Sequence, residues 1–291
     1  MRAGQFSRTA DISAAARAAH VRYDRPIVFN DTLAIDLVSR GWRWILKTPG
    51  LYRLVALANG ITGWRGTFVA RARYTEERLE RAIKSGIEQY VILGAGLDSF
   101  AWRQPEFARG LTIFEIDHPA SQLAKRQRLQ GTGLPTPPNL EWIASDLSKE
   151  TVAQALSRSR YRRQVGSFFS LLGTVQYLPR EAVMNTLRSV ASVATPGSEL
   201  VISYVQPREL IPPKLRPEFD RSLRGFARRG EPFVSLFDPK EFPAAVCALG
   251  YDLIENCAPN ETERRYFAGR SDALRAGSQR LAYIAHFRVT G

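Results

Sequence analysis

The run Tyr90-Val91-Ile92-Leu93-Gly94-Ala95-Gly96-Leu97-Asp98-Ser99 constrains this chain more than any other segment. An apolar strand runs directly into two glycines one residue apart, and a tight turn follows. In this way an α/β protein brings bare main chain against a nucleotide-like ligand. About twenty residues on, where the dinucleotide-binding pattern carries its ribose acid, Phe114-Glu115-Ile116-Asp117 ends a second apolar strand in acid. A carboxylate there accepts hydrogen bonds from ribose hydroxyls.

Around this pair the pattern alternates. Strands are expected at 89–94, 111–116, 140–144, 166–172, 199–205 and 280–289, with a weaker one at 251–256. Helices are expected at 119–130, 149–159, 180–194 and 239–248. Such alternation implies a mostly parallel, doubly wound sheet covered on both faces. The last strand follows a loop rather than a clear helix, so an antiparallel place in the edge region is open to it. Upstream, residues 10–40 read as helix, with Ala14-Ala15-Ala16-Arg17-Ala18-Ala19 a strong former and Asn30 or Asp31 a cap for a second helix. Residues 41–68, rich in Trp and Gly, suggest apolar helices over a pocket or in the core. Residues 69–86 read as an amphipathic helix stopped by Gly86. The expected organisation is one domain: a helical cap at 1–86, a cofactor-binding core at 87–205, a lid insertion at 206–238 and completion of the sheet at 239–291. The lid expectation rests on the dense Pro and Arg content of residues 206–235, since long loops in compact domains are usually functional or disordered.

Composition narrows the function classes. No apolar run reaches the roughly 18 residues that span a membrane, and the start shows no signal-peptide segment, so a soluble cytoplasmic protein without a membrane partner is expected. Two cysteines, Cys247 and Cys257, and three scattered histidines build no recognisable metal site. Of the 41 basic residues behind the net charge of +13, only Lys47, Lys84, Lys125, Lys149, Lys214 and Lys240 are lysine. Arginine in such excess suits carboxylate or phosphate recognition or only keeps a surface soluble. Its even spread favours the second reading. Without a basic tail or alternating aromatics, nucleic acid is disfavoured as a partner.

The Gly94-x-Gly96 turn alone is weak evidence, because a glycine turn needs no ligand. The dinucleotide fingerprint wants a third small residue where Ser99 stands, and Asp98 lies where a pyrophosphate would sit. An acid there repels a dianion and tolerates a cationic sulfonium, which favours S-adenosylmethionine over a dinucleotide. Asp146-Leu147 ends the third strand, where the carboxylate suits an adenine amine and the leucine packs on the ring. Ser170-Leu171-Leu172-Gly173 ends the fourth. Each feature alone is more often a cap or a turn, but together they mark the strand C-termini where open α/β sheets bind ligands.

The chain resembles the leucine carboxyl methyltransferase-like family of S-adenosylmethionine-dependent methyltransferases, especially its bacterial branch. The resemblance rests on Val91 to Ser99, Phe114-Glu115-Ile116-Asp117-His118-Pro119, Ser145-Asp146-Leu147, Ser170 to Leu178, Pro196-Gly197-Ser198 and Arg265-Tyr266-Phe267-Ala268-Gly269-Arg270. It implies a class I, Rossmann-like methyltransferase fold with S-adenosyl-L-methionine as cofactor and S-adenosyl-L-homocysteine as product. It sets Arg71 on the cofactor carboxylate, with Gly94, Ala95 and Gly96 beside the methionine moiety. Asp117 then takes the ribose hydroxyls, Asp146 and Leu147 take the adenine, and His118, Leu172 and Gly173 border the cofactor. Arg17 aligns loosely with a basic residue near it. The chain departs from the pattern at Leu172, where many members carry an acid, and keeps the aromatic/arginine pair of the first loop only as Trp102-Arg103.

The nucleophile decides whether a base is needed. A carboxylate is already ionised at neutral pH, whereas a phenol gains from a general base. Only His118 of the three histidines lies near the motif cluster, and packing beside the cofactor is its blander role. The arginine-rich 206–235 segment also suits an acid. The reading is therefore O-methylation of the carboxylate of a small organic acid or a peptide-like natural product. Tyr177 and His118 are the catalytic candidates, and Tyr177, Arg224, Arg228 and Arg270 the substrate-side ones. Tyr177 is equally at home in a core. Transfer to a phenol or alcohol hydroxyl, or cofactor binding without transfer, are the alternatives.

Overall fold

The computed structural model describes residues 7–58, 62–272, 274–275 and 281–291. Gly60 and Arg280, which belong to the expected pocket helices and last strand, lie outside the described residues. The chain opens with α1 (Arg8–Tyr23), α2 (Ala34–Leu37), α3 (Arg40–Lys47), α4 (Pro49–Ala58) and α5 (Thr62–Lys84). The core follows as β1 (Gln89–Leu93), α6 (Phe100–Arg103), β2 (Thr112–Asp117), α7 (Pro119–Gln130), β3 (Leu140–Ala144), α8 (Val152–Ser157), β4 (Ser167–Leu171), α9 (Arg180–Val193) and β5 (Glu199–Val205). It ends with α10 (Arg216–Arg228), α11 (Glu241–Cys247), β6 (Tyr251–Cys257), α12 (Pro259–Tyr266) and β7 (Ala282–Val289).

These strands form one sheet in the order β3-β2-β1-β4-β5-β7-β6. β1 to β5 are parallel, and β7 runs antiparallel between β5 and β6. β6, not the last strand, is therefore the edge. Every residue of β1, β4 and β5 is buried, as parallel strands covered on both faces require. Alternation splits each strand between two apolar layers. Val91, Leu93, Phe169 and Leu171 face α8, α9 and α11, while Tyr90, Ile92 and Phe168 face α5 and α6.

The N-terminal helices form a cap over one end of the sheet. Ser7 caps α1 by accepting from Ala10 N (3.1 Å), and Asp31 accepts from Ala34 N (3.0 Å) at the start of α2. α5 begins at Thr62, seven residues before the expected amphipathic stretch, because Trp64 and Phe68 bury against Phe219 and Phe226 and tertiary packing overrides the two glycines in its first turns. Residues 206–238 leave β5, make short 3-10 turns at Arg208–Leu210 and Pro213–Leu215, and form α10, whose apolar side packs on that same cluster. Among the described residues no helix is long and apolar enough to cross a membrane.

Candidate active site

The cavity opens at the C-terminal ends of β1, β2, β3 and β4 and measures about 760 Å³. Gly94 (φ +70°), Gly96 (φ +51°) and Gly173 (φ +67°) all adopt left-handed backbone in its wall. A β-carbon at Gly94 would fall 2.3 Å from Thr174 Oγ1, so the turn needs bare backbone there.

Asp117 ends β2 against this turn. Its carboxylate accepts from the Gly96 amide and from the His118 amide (2.6 Å). Burial raises its carboxyl, and the two amides oppose that shift. A carboxylate has about four acceptor positions, so hydroxyls can still reach it. His118 accepts from Ala120 N (3.2 Å) as the N-cap of α7, and the residue borders the cavity. Asp146 also borders it. Its Oδ1 accepts from Ser148 N (3.0 Å) and Ser148 Oγ (2.6 Å), and these bonds outweigh partial burial and hold the carboxyl below the usual range.

Arg71 reaches the cavity from α5. Among the described residues it forms no ion pair: Nη2 donates to Ser13 Oγ (3.2 Å), and the guanidinium lies 4.8 Å from the Phe68 ring centroid. Burial pulls it down to about 10, and Arg17 nearby adds to the shift. A cation held this way is completed by an anion. Arg17 is different. Its Nε donates to Asp31 Oδ2 (2.7 Å) and its Nη2 to Leu97 O (2.7 Å), so it braces the glycine turn from below. Arg103 lies on the other side of Asp31, with Nε 3.5 Å from Oδ1, and pairs with Glu76.

Ala95, Leu172 and Gly173 line the cavity with Tyr177. The Tyr177 hydroxyl is buried beside Thr9 and Gln176; burial pushes it up to about 12, against the pull of those two neighbours. The structure redraws four expected positions. Leu147 packs into the core below β3 instead of lining the cavity, since its side chain takes the apolar face. Arg224 and Arg228 lie on the exposed side of α10, because Phe219 and Phe226 claim its inner side. Arg270 is held away by Asp272 (2.6 Å) and Pro26 O (2.6 Å) and borders a separate surface groove. In their place the structure brings Thr9, Asp31, Trp64, Gln176 and Glu231 to the site or its supports. Glu231 Oε2 accepts from Thr9 N (2.8 Å) and from Thr9 Oγ1 across 222 residues of sequence, a pairing with no local signal.

Residues 10–191 match the family model described as leucine carboxyl methyltransferase. The chain belongs to this family. A Bacillus subtilis relative named "Putative S-adenosyl-L-methionine-dependent methyltransferase YktD" is 31% identical over 95% of this chain and 96% of its own length. A Mycobacteroides abscessus protein with the same description is 31% identical over 79% and 75%. Solved structures of a DUF574 protein from Streptomyces avermitilis and of a protein from Thermobifida fusca titled a methyltransferase superpose with TM-scores of 0.62 each. Each covers 98% of both chains, at 16% and 15% identity, and these likenesses bear on the fold. The chain is thus an S-adenosylmethionine-dependent methyltransferase, with a seven-stranded α/β sheet. The residues present fit that cofactor: a bare glycine cradle, an acid at the end of β2 and a guanidinium without an anion line one cavity of this methyltransferase. Among its described residues no group of three or more His, Cys, Asp or Glu is placed to hold a metal, and Cys247 and Cys257 are free thiols.

Proposed function

We propose that the chain is an O-methyltransferase that esterifies the carboxylate of a small organic acid or peptide-like natural product. In this reading Arg71 holds the cofactor carboxylate, Gly94 and Gly96 leave room for the methionine moiety, Asp117 takes the ribose hydroxyls and Asp146 the adenine amine. When bound, S-adenosylmethionine supplies an electrophilic methyl on a sulfonium, released as the S–C bond breaks and an O–C bond forms. The protein's task is then to align the acceptor oxygen and keep water out. A carboxylate arrives ionised and leaves as an ester, so no proton has to move.

The observation that carries this reading is the state of Tyr177. Pushed up to about 12 by burial, with Thr9 and Gln176 beside it, its hydroxyl keeps its proton and is placed to donate it in a hydrogen bond. A donor suits the second oxygen of a carboxylate. Glu231 favours a second reading. Its carboxylate borders the same cavity as Tyr177, where it could serve a hydroxyl acceptor as base.

Incubation with methyl-labelled cofactor and a panel of acids separates the two. Label released by mild alkali marks an ester. Label that survives alkali, lost in Glu231→Gln, would establish the hydroxyl reading instead.

A further inference from the structure

Beside the larger cavity the structure holds a second, smaller pocket, whose lining lacks Asp117 and Asp146. α5 supplies Trp64 and Phe68, the turn after β4 supplies Gln176 and Tyr177, and α10 with the segment behind it supplies Phe226 and Phe233. Phe68, Arg71, Gln176 and Tyr177 belong to both cavities, so the two share a wall. The free space is about 20 Å³, room for one water-sized group.

The rings meet edge to face. Trp64 lies 5.6 Å from Phe226 at 87° and 6.1 Å from Phe233 at 81°, and Tyr177 lies 5.3 Å from Phe233 at 84°. Aromatic packing alone does not account for the polar atoms. Trp64 Nε1 and Gln176 Oε1 are both buried without a partner, and each residue is 6% exposed. An unmet buried polar atom is costly, and a donor and an acceptor on one pocket point to a group that both accepts and donates. Arg71 is the one charged residue lining the pocket, so no carboxylate there would welcome an ammonium.

We propose that this pocket anchors the methyl acceptor and that the acceptor is a hydroxyaryl carboxylic acid. The aryl ring lies against the edges of Trp64, Phe226 and Phe233 at the mouth. Its hydroxyl enters the small space, donating to Gln176 Oε1 and accepting from Trp64 Nε1–H. The carboxylate stays in the larger cavity, where it is methylated. This rests on the esterification reading for the fate of the carboxylate, but the anchoring itself does not.

Calorimetry on protein saturated with S-adenosylhomocysteine tests it, with 4-hydroxyphenylacetate, phenylacetate and hexanoate as probes. The hydroxyaryl acid is expected to bind about tenfold tighter than either of the others, as one buried hydrogen-bonded group allows. Trp64→Phe keeps a ring and removes the N–H. It should erase that advantage and leave phenylacetate unchanged. Gln176→Leu, which removes the acceptor oxygen, should do the same and keeps the test open should one variant fail to fold. Equal affinity for the three acids, or equal losses for both aryl acids in either variant, would overturn the proposal while homocysteine-product binding persists. Alkali-stable label on a tightly bound hydroxyaryl acid would leave the anchor standing and remove the ester.

Discussion

Arg71 lies so close against Gly173 that a β-carbon on the glycine would fall 2.3 Å from Nη1 and 2.8 Å from Cζ. The glycine at the end of β4 therefore sets where the guanidinium of α5 can rest. Gly173→Ala should push Arg71 aside and add a left-handed residue at φ +67°, a strain of about 1–2 kcal/mol. Because the arginine tip can yield, the larger effect should fall on binding: S-adenosylhomocysteine affinity by calorimetry is expected to drop about tenfold or more, as a displaced charge-assisted pair implies. The melting temperature should fall only a few degrees. Unchanged affinity in folded Gly173→Ala protein would take Arg71 off the cofactor carboxylate.

Asp31 sits between two arginines with no exposed side-chain surface. Arg17 Nε donates at 2.7 Å, Arg103 Nε lies 3.5 Å away, and Ser99 Oγ donates at 2.7 Å. Burial works to raise its carboxyl, and Arg17 and Arg103 outweigh it and hold it below the usual range. Asp31→Asn should cost about 3–5 kcal/mol in denaturant unfolding, because the Arg17 guanidinium stays buried without its anion while Arg103 keeps Glu76. A depressed carboxyl contributes stability above its unfolded value, near 4, and loses it as pH falls through the folded value. The wild type should therefore show a steeper acid limb in stability than Asp31→Asn, where Glu255 and Asp272 still supply the remainder. A variant as stable as the wild type at neutral pH would mean the network braces nothing.

The strands and the glycine-and-acid wall of the cavity were legible because their signals are local. Val91-Ile92-Leu93 before Gly94 and Phe114 to Asp117 carry strand, turn and acid in one stretch, and the expected strands match the sheet closely. The acceptor side was not. Nothing near Glu231 announces Thr9, and nothing near Asp31 announces Ser99 or Arg103, since these contacts exist only after the cap has closed on the sheet. The arginines of α10 looked like ligands for an acid because sequence shows charge before it shows which face of a helix is inward. Phe219 and Phe226 decide that face, and they turn Arg224 and Arg228 to solvent.

Thr9 on α1 and Glu231 behind α10 join the two walls of the cavity. Thr9→Val removes the hydroxyl donor and keeps the amide bond, so the expected cost is about 1–3 kcal/mol, the range for a buried hydrogen bond to a charged group. If the 206–238 segment is a cover held by this clasp, its opening becomes easier in the variant. Hydrogen exchange of the α10 amides should then accelerate more than that of β4 or β5. Equal acceleration everywhere would show global destabilisation and no clasp.

Glu115 lies on β2 beside the site but away from the cavity, fully buried, with one oxygen 2.6 Å from Lys125 Nζ and the other without a partner. Lys125 is itself enclosed by Trp102 and Trp142, whose ring centroids lie 5.3 and 5.4 Å from Nζ. Burial pushes the Glu115 carboxyl up to about 7 despite the lysine. With its folded value above the unfolded one of about 4.3, the native state holds the proton where the unfolded chain has lost it. Stability from this group is then complete below the unfolded value and lost as pH rises through the folded one. Urea unfolding between pH 4.5 and 7.5 should show a negative slope of stability with pH in the wild type, relative to Glu115→Gln, which keeps the shape and removes the titration. A difference between the two proteins that stays flat across this window would mean Glu115 is ionised throughout and that Lys125, not burial, governs it.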